Sequence, residues 1–206
     1  VPVFGAVGPA FRRRLLVVTG LVFAVSVITG PANSFIFVYA QNVLGLSGAV
    51  TAAMVVVAGP VGLVGLLVGR WLADHVGRRP TGALSMVAMA LSGLVTYSGS
   101  RVALLVGYEL GVLAASTFAP AAGAFTNELF PTSVRASVAG WNIAASVLGA
   151  VAGLIAFGAI AQVGTRFDGV RAATITFLPV LAATLLFLKL PETKGRELED
   201  LWPPGA

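Results

Sequence analysis

No charged side chain occurs between residues 15 and 69. A segment of that length without charge cannot coat itself with hydrated groups, so it must lie in an apolar solvent or deep inside a very large core. Further uncharged runs cover residues 81–100, 136–165 and 172–188, and 102–127 is broken only by Glu109. Hydrophobic residues make up 57% of the 206 and charged ones 10%, where a soluble domain carries about 25% charged residues. A bilayer core takes about 20 apolar residues per helix. The runs therefore supply six spans, near residues 15–39, 48–68, 81–98, 102–125, 136–163 and 172–188. The first run holds two, because GLSG at 45–48 lies midway. The expected fold class is all-α, a polytopic membrane helical bundle of six transmembrane helices. Pro31, Pro60, Pro120 and Pro179 fall inside spans as candidate kinks, tolerated where neighbouring helices satisfy the freed backbone.

The basic residues fix an orientation, since the cytoplasmic side of a membrane protein collects Lys and Arg. Arg12, Arg13 and Arg14 precede the first span, Arg70, Arg78 and Arg79 follow the second, Arg135 follows the fourth, and Lys189, Lys194 and Arg196 follow the sixth. Only Arg101, Arg166 and Arg171 fall on the other side. Both termini are thus expected in the cytoplasm. The net charge of +5 reads as topology and attraction to anionic headgroups, not as nucleic-acid binding.

Cysteine is absent and His75 is the one histidine, which removes disulfides, thiolate nucleophiles and Cys/His metal clusters. The spans offer no Ser/His/Asp set, no paired carboxylates and no phosphate-binding glycine loop. No enzyme, cofactor or metal is expected. The chain opens on Val1 without a signal-peptide pattern, and is expected to begin partway through a longer protein. Arginine in large excess over lysine, with abundant Ala, Val and Gly, suggests a GC-rich bacterial genome and hence a bacterial plasma membrane.

Residues 1–14 read as a cytoplasmic linker, 15–190 as the six-helix bundle and 191–206 as a polar cytoplasmic tail. Six spans with both ends on one side can be parsed as three plus three, an inverted repeat of the kind carriers use. No sequence identity between the triplets is visible, so the repeat follows from topology alone.

Three segments carry a resemblance. The elbow LADHVGRRP after the second span has Leu72, Asp74, Gly77, Arg78 and Arg79 at the spacing of the inner-loop signature of the major facilitator superfamily, with His75 in place of the usual Arg or Lys and Arg70 where the leading glycine would stand. ELFPTSVRASVAGW at 128–141 resembles the loop between the fourth and fifth spans of the C-terminal half in the sugar-porter and organic-ion branch. PETKGRELEDL, from Pro191, is similar to the tail that follows the last span of sugar porters. The resemblance covers residues 12–201 and implies the C-terminal six-helix half of a twelve-helix carrier, partnered by an N-terminal half, the bilayer and a small organic solute.

Several residues are candidates for mechanism. Glu109 is the only acid within a span, where a charged group costs several kcal/mol and is functional by default; it reads as a protonatable coupling site or a ligand for a cation, or else as an interfacial acid paired with Arg101. Ser26, Asn33 and Phe37 share one face of the first span, and Asn33 could contact solute or act as interhelical glue. Asn142, beside Trp141 at the start of the fifth span, is a further candidate solute contact, while Trp141 reads as an interfacial anchor. Tyr108 and Phe118 could line a cavity or simply pack. Gln41 and Asn42 read as loop residues at the outer mouth. Gly62, Gly65 and Gly69, and Gly149 and Gly153, are spaced for close helix approach. Asp74, Arg78, Arg79, Glu128, Arg135, Glu192 and Lys194 all fall at the inner face, where they read either as solvated topology determinants and helix caps or as ion pairs that gate the inner mouth, the gate being what the resemblance implies for Asp74, Arg78 and Arg79; Glu197 and Glu199 read as solvated caps.

The function this supports is secondary active transport: a small organic solute, metabolite or drug-like compound moving by alternating access, with proton coupling at Glu109. The rival is a non-transporting membrane scaffold or receptor module, or a homodimeric half-carrier.

Overall fold

The computed structural model of the chain describes residues 9–163, 166–196 and 201. Six helices run alternately up and down: α1 Pro9–Val38, α2 Gly48–His75, α3 Arg78–Thr96, α4 Arg101–Glu128, α5 Thr132–Ala161 and α6 Gly169–Ala183. A π-helical turn, Tyr39–Val43, extends α1, and a 3₁₀ turn, Thr184–Lys189, extends α6. Two two-residue strands, β1 Gln162–Val163 and β2 Arg166–Phe167, pair antiparallel between α5 and α6.

Helix starts follow local chemistry. Ser47, Ser100 and Asp168 accept hydrogen bonds from the backbone N–H three residues on, at 3.3, 3.5 and 2.9 Å, and so cap α2, α4 and α6. α1 begins at Pro9, so residues 9–14 of the segment read as a linker are helical; proline at the start of a helix loses no bond. Gln41 and Asn42 sit in the π turn, not in a loop, with Gln41 Nε2 donating to Thr51 Oγ1 at 3.0 Å. Five helices are long and apolar enough to cross a membrane. The remaining predicted span, the third, is α3, 19 residues long, which starts at Arg78 and buries Thr81, Ser85, Ser92 and Thr96. Helix α3 is lodged between α4 and α6, where small polar side chains serve packing better than bulky apolar ones.

The most extensive contacts pair α1 with α5, α2 with α4 and α3 with α4. Glycine sets the first two. A Cβ at Gly69 would lie 2.4 Å from Thr117 O, and one at Gly153 would lie 2.3 Å from Val27 O. Gly65 and Gly149 stand equally far from the first residues of α2 and α5, as do Gly69 and Gly153. The first triplet thus lends its second helix to α4, and the second triplet lends its second helix to α1, which is the inverted repeat written in contacts.

At the end of the bundle reached by the C-terminus of α1, the core is aromatic. Tyr97, Phe157 and Phe177 are fully buried, with Phe157 stacked on Phe177 at 5.7 Å and on Phe35 at 5.1 Å between centroids. Tyr97 Oη donates to Pro31 O at 3.3 Å, and Tyr39 Oη donates to Tyr97 O at 3.2 Å, so both buried hydroxyls are satisfied.

Candidate functional site

Two features carry chemistry: a charged cluster where α2, α3, α4 and the chain after α6 meet, and a mostly apolar cavity between α1, α3 and α4 that carries a few polar side chains.

The cluster is built on the turn from α2 to α3. Gly77 holds it at φ +130°, and a Cβ there would sit 2.8 Å from Glu192 Oε2, so a side chain is excluded both by backbone conformation and by space. Glu192 lies across the N-terminus of α3. Its Oε1 accepts from Arg78 N at 3.0 Å and its Oε2 from Arg79 N at 3.1 Å, while Thr193 N and Lys194 N add bonds to Oε1 at 3.1 and 3.2 Å. A carboxylate placed there satisfies unpaired helix donors and meets the positive end of the helix dipole. Lys194 Nζ donates to His75 O at the C-terminal end of α2, the complementary arrangement. Glu192→Ala is therefore expected to destabilise the protein by about 1 kcal/mol. Thermal unfolding in detergent should show the loss, with Glu192→Gln falling between the two.

Arg78 is the hub. Its Nη2 lies 3.3 Å from Asp74 Oδ1 and 3.4 Å from Glu128 Oε1, and its Nη1 donates to Ala73 O at 3.0 Å. The Arg78 side chain is 18% exposed, Glu128 22% and Asp74 52%. The Glu128 pair is thus the better shielded one and the Asp74 pair the more screened. One guanidinium ties the ends of α2, α3 and α4, which a planar fork does and an ammonium cannot.

Other expected members of an ion-pair gate serve differently. Among the described residues, Arg79 engages through its backbone N–H and forms no ion pair, Arg135 Nε donates to Phe130 O at 3.0 Å instead of meeting an acid, and Glu192 caps a helix. Charge type announces that a residue sits at a helix end; only the folded geometry decides whether its partner is a side chain or a backbone terminus. Glu197 and Glu199 lie outside the described residues.

The cavity, about 70 Å³, is lined by Thr29 and Asn33 of α1, Ser92 and Thr96 of α3, and Tyr108 and Gly111 of α4. It has room for several water-sized polar groups. Thr96 Oγ1 donates to Ser92 O and Asn33 Nδ2 to Thr29 O, both at 2.8 Å, which leaves the Asn33 carbonyl for other partners.

The four expected solute contacts do not share this site. Asn33 lines it. Phe37 lies one turn on, exposed near the end of α1. Asn142 Nδ2 donates to Thr126 Oγ1 at 3.1 Å and ties α5 to α4. Glu109 faces α2 in a separate groove, and Arg101, its suggested ion partner, donates instead to Leu44 O at 2.8 Å. Ser26 is buried beside Gly149, so the face it shares with Asn33 is covered by α5 at one end and open at the other. Phe118 packs edge-on against Phe187, and Trp141 is half-buried against the core. Ser92, Thr96 and Gly111 escaped the sequence reading, because small polar residues in a span look the same whether they line a cavity or fill a helix contact.

A bundle of long apolar helices, five of them able to cross a membrane, with its ion-pair cluster at one end, defines a multi-pass membrane protein. The family model of the Major Facilitator Superfamily matches residues 34–203, and the chain belongs to that family. A probable 4-methylmuconolactone transporter of Cupriavidus pinatubonensis is 32% identical over 144 residues, 66% of this chain and 32% of its own length. The ectoine/proline transporter ProP of Corynebacterium glutamicum is 29% identical over 198 residues, 93% of this chain and 38% of its own. This chain therefore spans about a third of the length of these curated relatives. The proton:xylose symporter XylE bound to 6-bromo-6-deoxy-D-glucose matches in fold with a TM-score of 0.68 at 22% identity, over 97% of this chain and 43% of that one. The inward-open xylose transporter XylE from E. coli matches with a TM-score of 0.62 at 19% identity, over 87% and 48%. The fold is half of a twelve-helix facilitator.

Proposed function

We propose that the chain is the C-terminal half of a secondary active carrier for a small organic solute. The solute passes between this bundle and a second six-helix bundle as the two rock to alternate access. The observation that carries this reading is Arg78 holding α2, α3 and α4 together through side-chain contacts weak enough to break and re-form, at the end where the basic residues gather. That end faces the cytoplasm, residues 15–190 span a bacterial plasma membrane, and the segments on either side lie in the cytoplasm. Asn33 and Tyr108, in the lining of the cavity between α1, α3 and α4, contact the solute. The relatives named for a lactone, for ectoine and proline, and for xylose support a small organic solute as cargo.

Glu109, whose Oε2 is buried with no hydrogen-bond partner among the described residues, takes the coupling proton, and a change in its access to water between states of the carrier links the gradient to transport. The test is uptake across a panel of labelled metabolites by the complete carrier in vesicles under an imposed pH gradient. Glu109→Gln keeps shape and mimics permanent protonation, so it should retain solute exchange and lose pH-driven accumulation. Accumulation equal to that of the wild type would remove Glu109 from coupling, and failure of every solute to move in the wild type would refute the carrier reading itself.

A further inference from the structure

We propose that the groove between α2 and α4 around Glu109 is a binding subsite for a lipophilic tertiary ammonium, held by donation of its single N–H to Glu109 Oε2. The two helices touch at Gly62, Gly65 and Gly69 and splay apart towards the start of α4. Between the splayed halves lies an open groove of about 440 Å³, walled by Val50, Ala53 and Val57 of α2 and by Leu105 and Val106 of α4, with Val50, Val57 and Val106 exposed. That is the size of a site for a drug-sized molecule. Glu109 contributes the only charged or polar side chain in the lining, and its Oε2 is buried with no hydrogen-bond partner among the described residues. A buried carboxylate oxygen without a partner is costly in an apolar setting, and a cation that fills the groove removes that cost.

The walls set the substitution on nitrogen. The Glu109 carboxylate is the only side-chain acceptor in the lining and its two oxygens can pair two donors, so a primary ammonium would still leave an N–H facing hydrocarbon, and a quaternary one would bring charge but no hydrogen bond. A tertiary ammonium matches one donor to one acceptor and turns its carbon substituents to the valines. It needs the charged carboxylate that the coupling proton would neutralise, so the two exclude each other.

The groove does not come automatically with the fold. On the repeat-related side, where α1 and α5 meet, the residue as far before Gly149 as Val57 is before Gly65 is Trp141, half-buried against the core. The residue as far before Phe23 as Glu109 is before Leu113 is Thr19, whose Oγ1 donates to Leu15 O at 2.7 Å. One crotch carries a bulky side chain and a satisfied hydroxyl. The other has the 52%-exposed Val57 and an unpartnered carboxylate oxygen.

The test is displacement of labelled N,N-dimethyl-naphthylmethylamine from the full-length protein in nanodiscs by its trimethyl quaternary salt and by isobutylnaphthalene, the neutral carbon isostere. The tertiary ammonium should bind about tenfold more tightly than either competitor, the margin of one charge-assisted hydrogen bond. Glu109→Gln should erase that preference, Glu109→Asp should keep part of it, and Val57→Trp, which copies the other side, should block the amine. Equal binding of the neutral isostere would mean that the groove takes any hydrocarbon, such as a lipid chain, and would overturn the proposal. So would an undiminished preference in the Gln variant, or no binding of the amine to the wild type, which would mean that polypeptide fills the groove. The comparison of three probes on the wild-type protein stands even if a variant fails to fold. Binding is read without transport, so its failure leaves the carrier reading intact, and a protein that binds but moves no solute refutes only the carrier.

Discussion

Arg78→Ala is expected to slow solute turnover strongly while leaving apparent solute affinity close to wild type. Arg78 meets Asp74, Glu128 and the Ala73 carbonyl at once, and none of these four residues lines the cavity that holds Asn33. If each ion pair contributes about 1 kcal/mol to the state in which this end is closed, losing both shifts the two-state equilibrium by about thirtyfold. Asp74→Asn removes only the more exposed pair and should shift it by about fivefold. Arg78→Lys keeps the charge without the fork and should fall between them. Solute affinity and saturating turnover, measured in the same vesicles, separate the readings. Lost affinity with normal turnover at saturation would place Arg78 in the solute site and sink the gating role.

Gly69→Val is expected to prevent the protein from assembling at all. The new Cβ would lie 2.4 Å from Thr117 O and 2.7 Å from Thr117 Cα. These are backbone atoms that no rotamer change can move, so α2 and α4 would have to separate along their whole crossing. Overpacking of a core costs about 1–3 kcal/mol where side chains can yield, and here they cannot. Gly59→Ala on the same helix is the control, because nothing lies within 4 Å of a Cβ there. Size-exclusion profiles in mild detergent should show aggregate for the valine variant and a wild-type peak for the control. A monodisperse Gly69→Val with unchanged unfolding temperature would mean that the two helices do not meet at this point.

How much of this was legible in the chain varies with the kind of signal. The spans were, because a bilayer demands unbroken apolar length and the runs between charges supply it. Their ends were not: α1 continues through Arg12 to Arg14, and α3 starts on Arg78, since a helix does not stop where its surroundings turn polar. The glycines at 65, 69, 149 and 153 announced close contacts, and their equal register in α2 and α5 is a trace of the inverted repeat that identity alone does not reveal. Partners were harder. Glu192 belonged visibly to the charged end, but its role as a cap depends on where α3 begins. Asn33, Phe37, Glu109 and Asn142 are polar or aromatic residues in apolar helices, and such residues converge only if helix rotation and height agree. Helical spacing reports the first within one helix and neither between helices. The pairing of Tyr39 with Tyr97 is of the same kind, invisible until two distant helix ends are brought together.

Pro31 inside α1 has a mechanical consequence. Pro31 has no N–H to offer the carbonyl of Val27, and that carbonyl packs so close to Gly153 that a Cβ there would lie 2.3 Å from it. Water is absent from the hydrocarbon layer, so any motion that drew α1 away from α5 would strand an oxygen with nowhere else to turn. These two helices should therefore travel as one rigid rib through every stage of a transport cycle. Flexing is left to their ends, and a probe pair bridging Val27 and Gly153 should register a constant distance while pairs across the Arg78 cluster change.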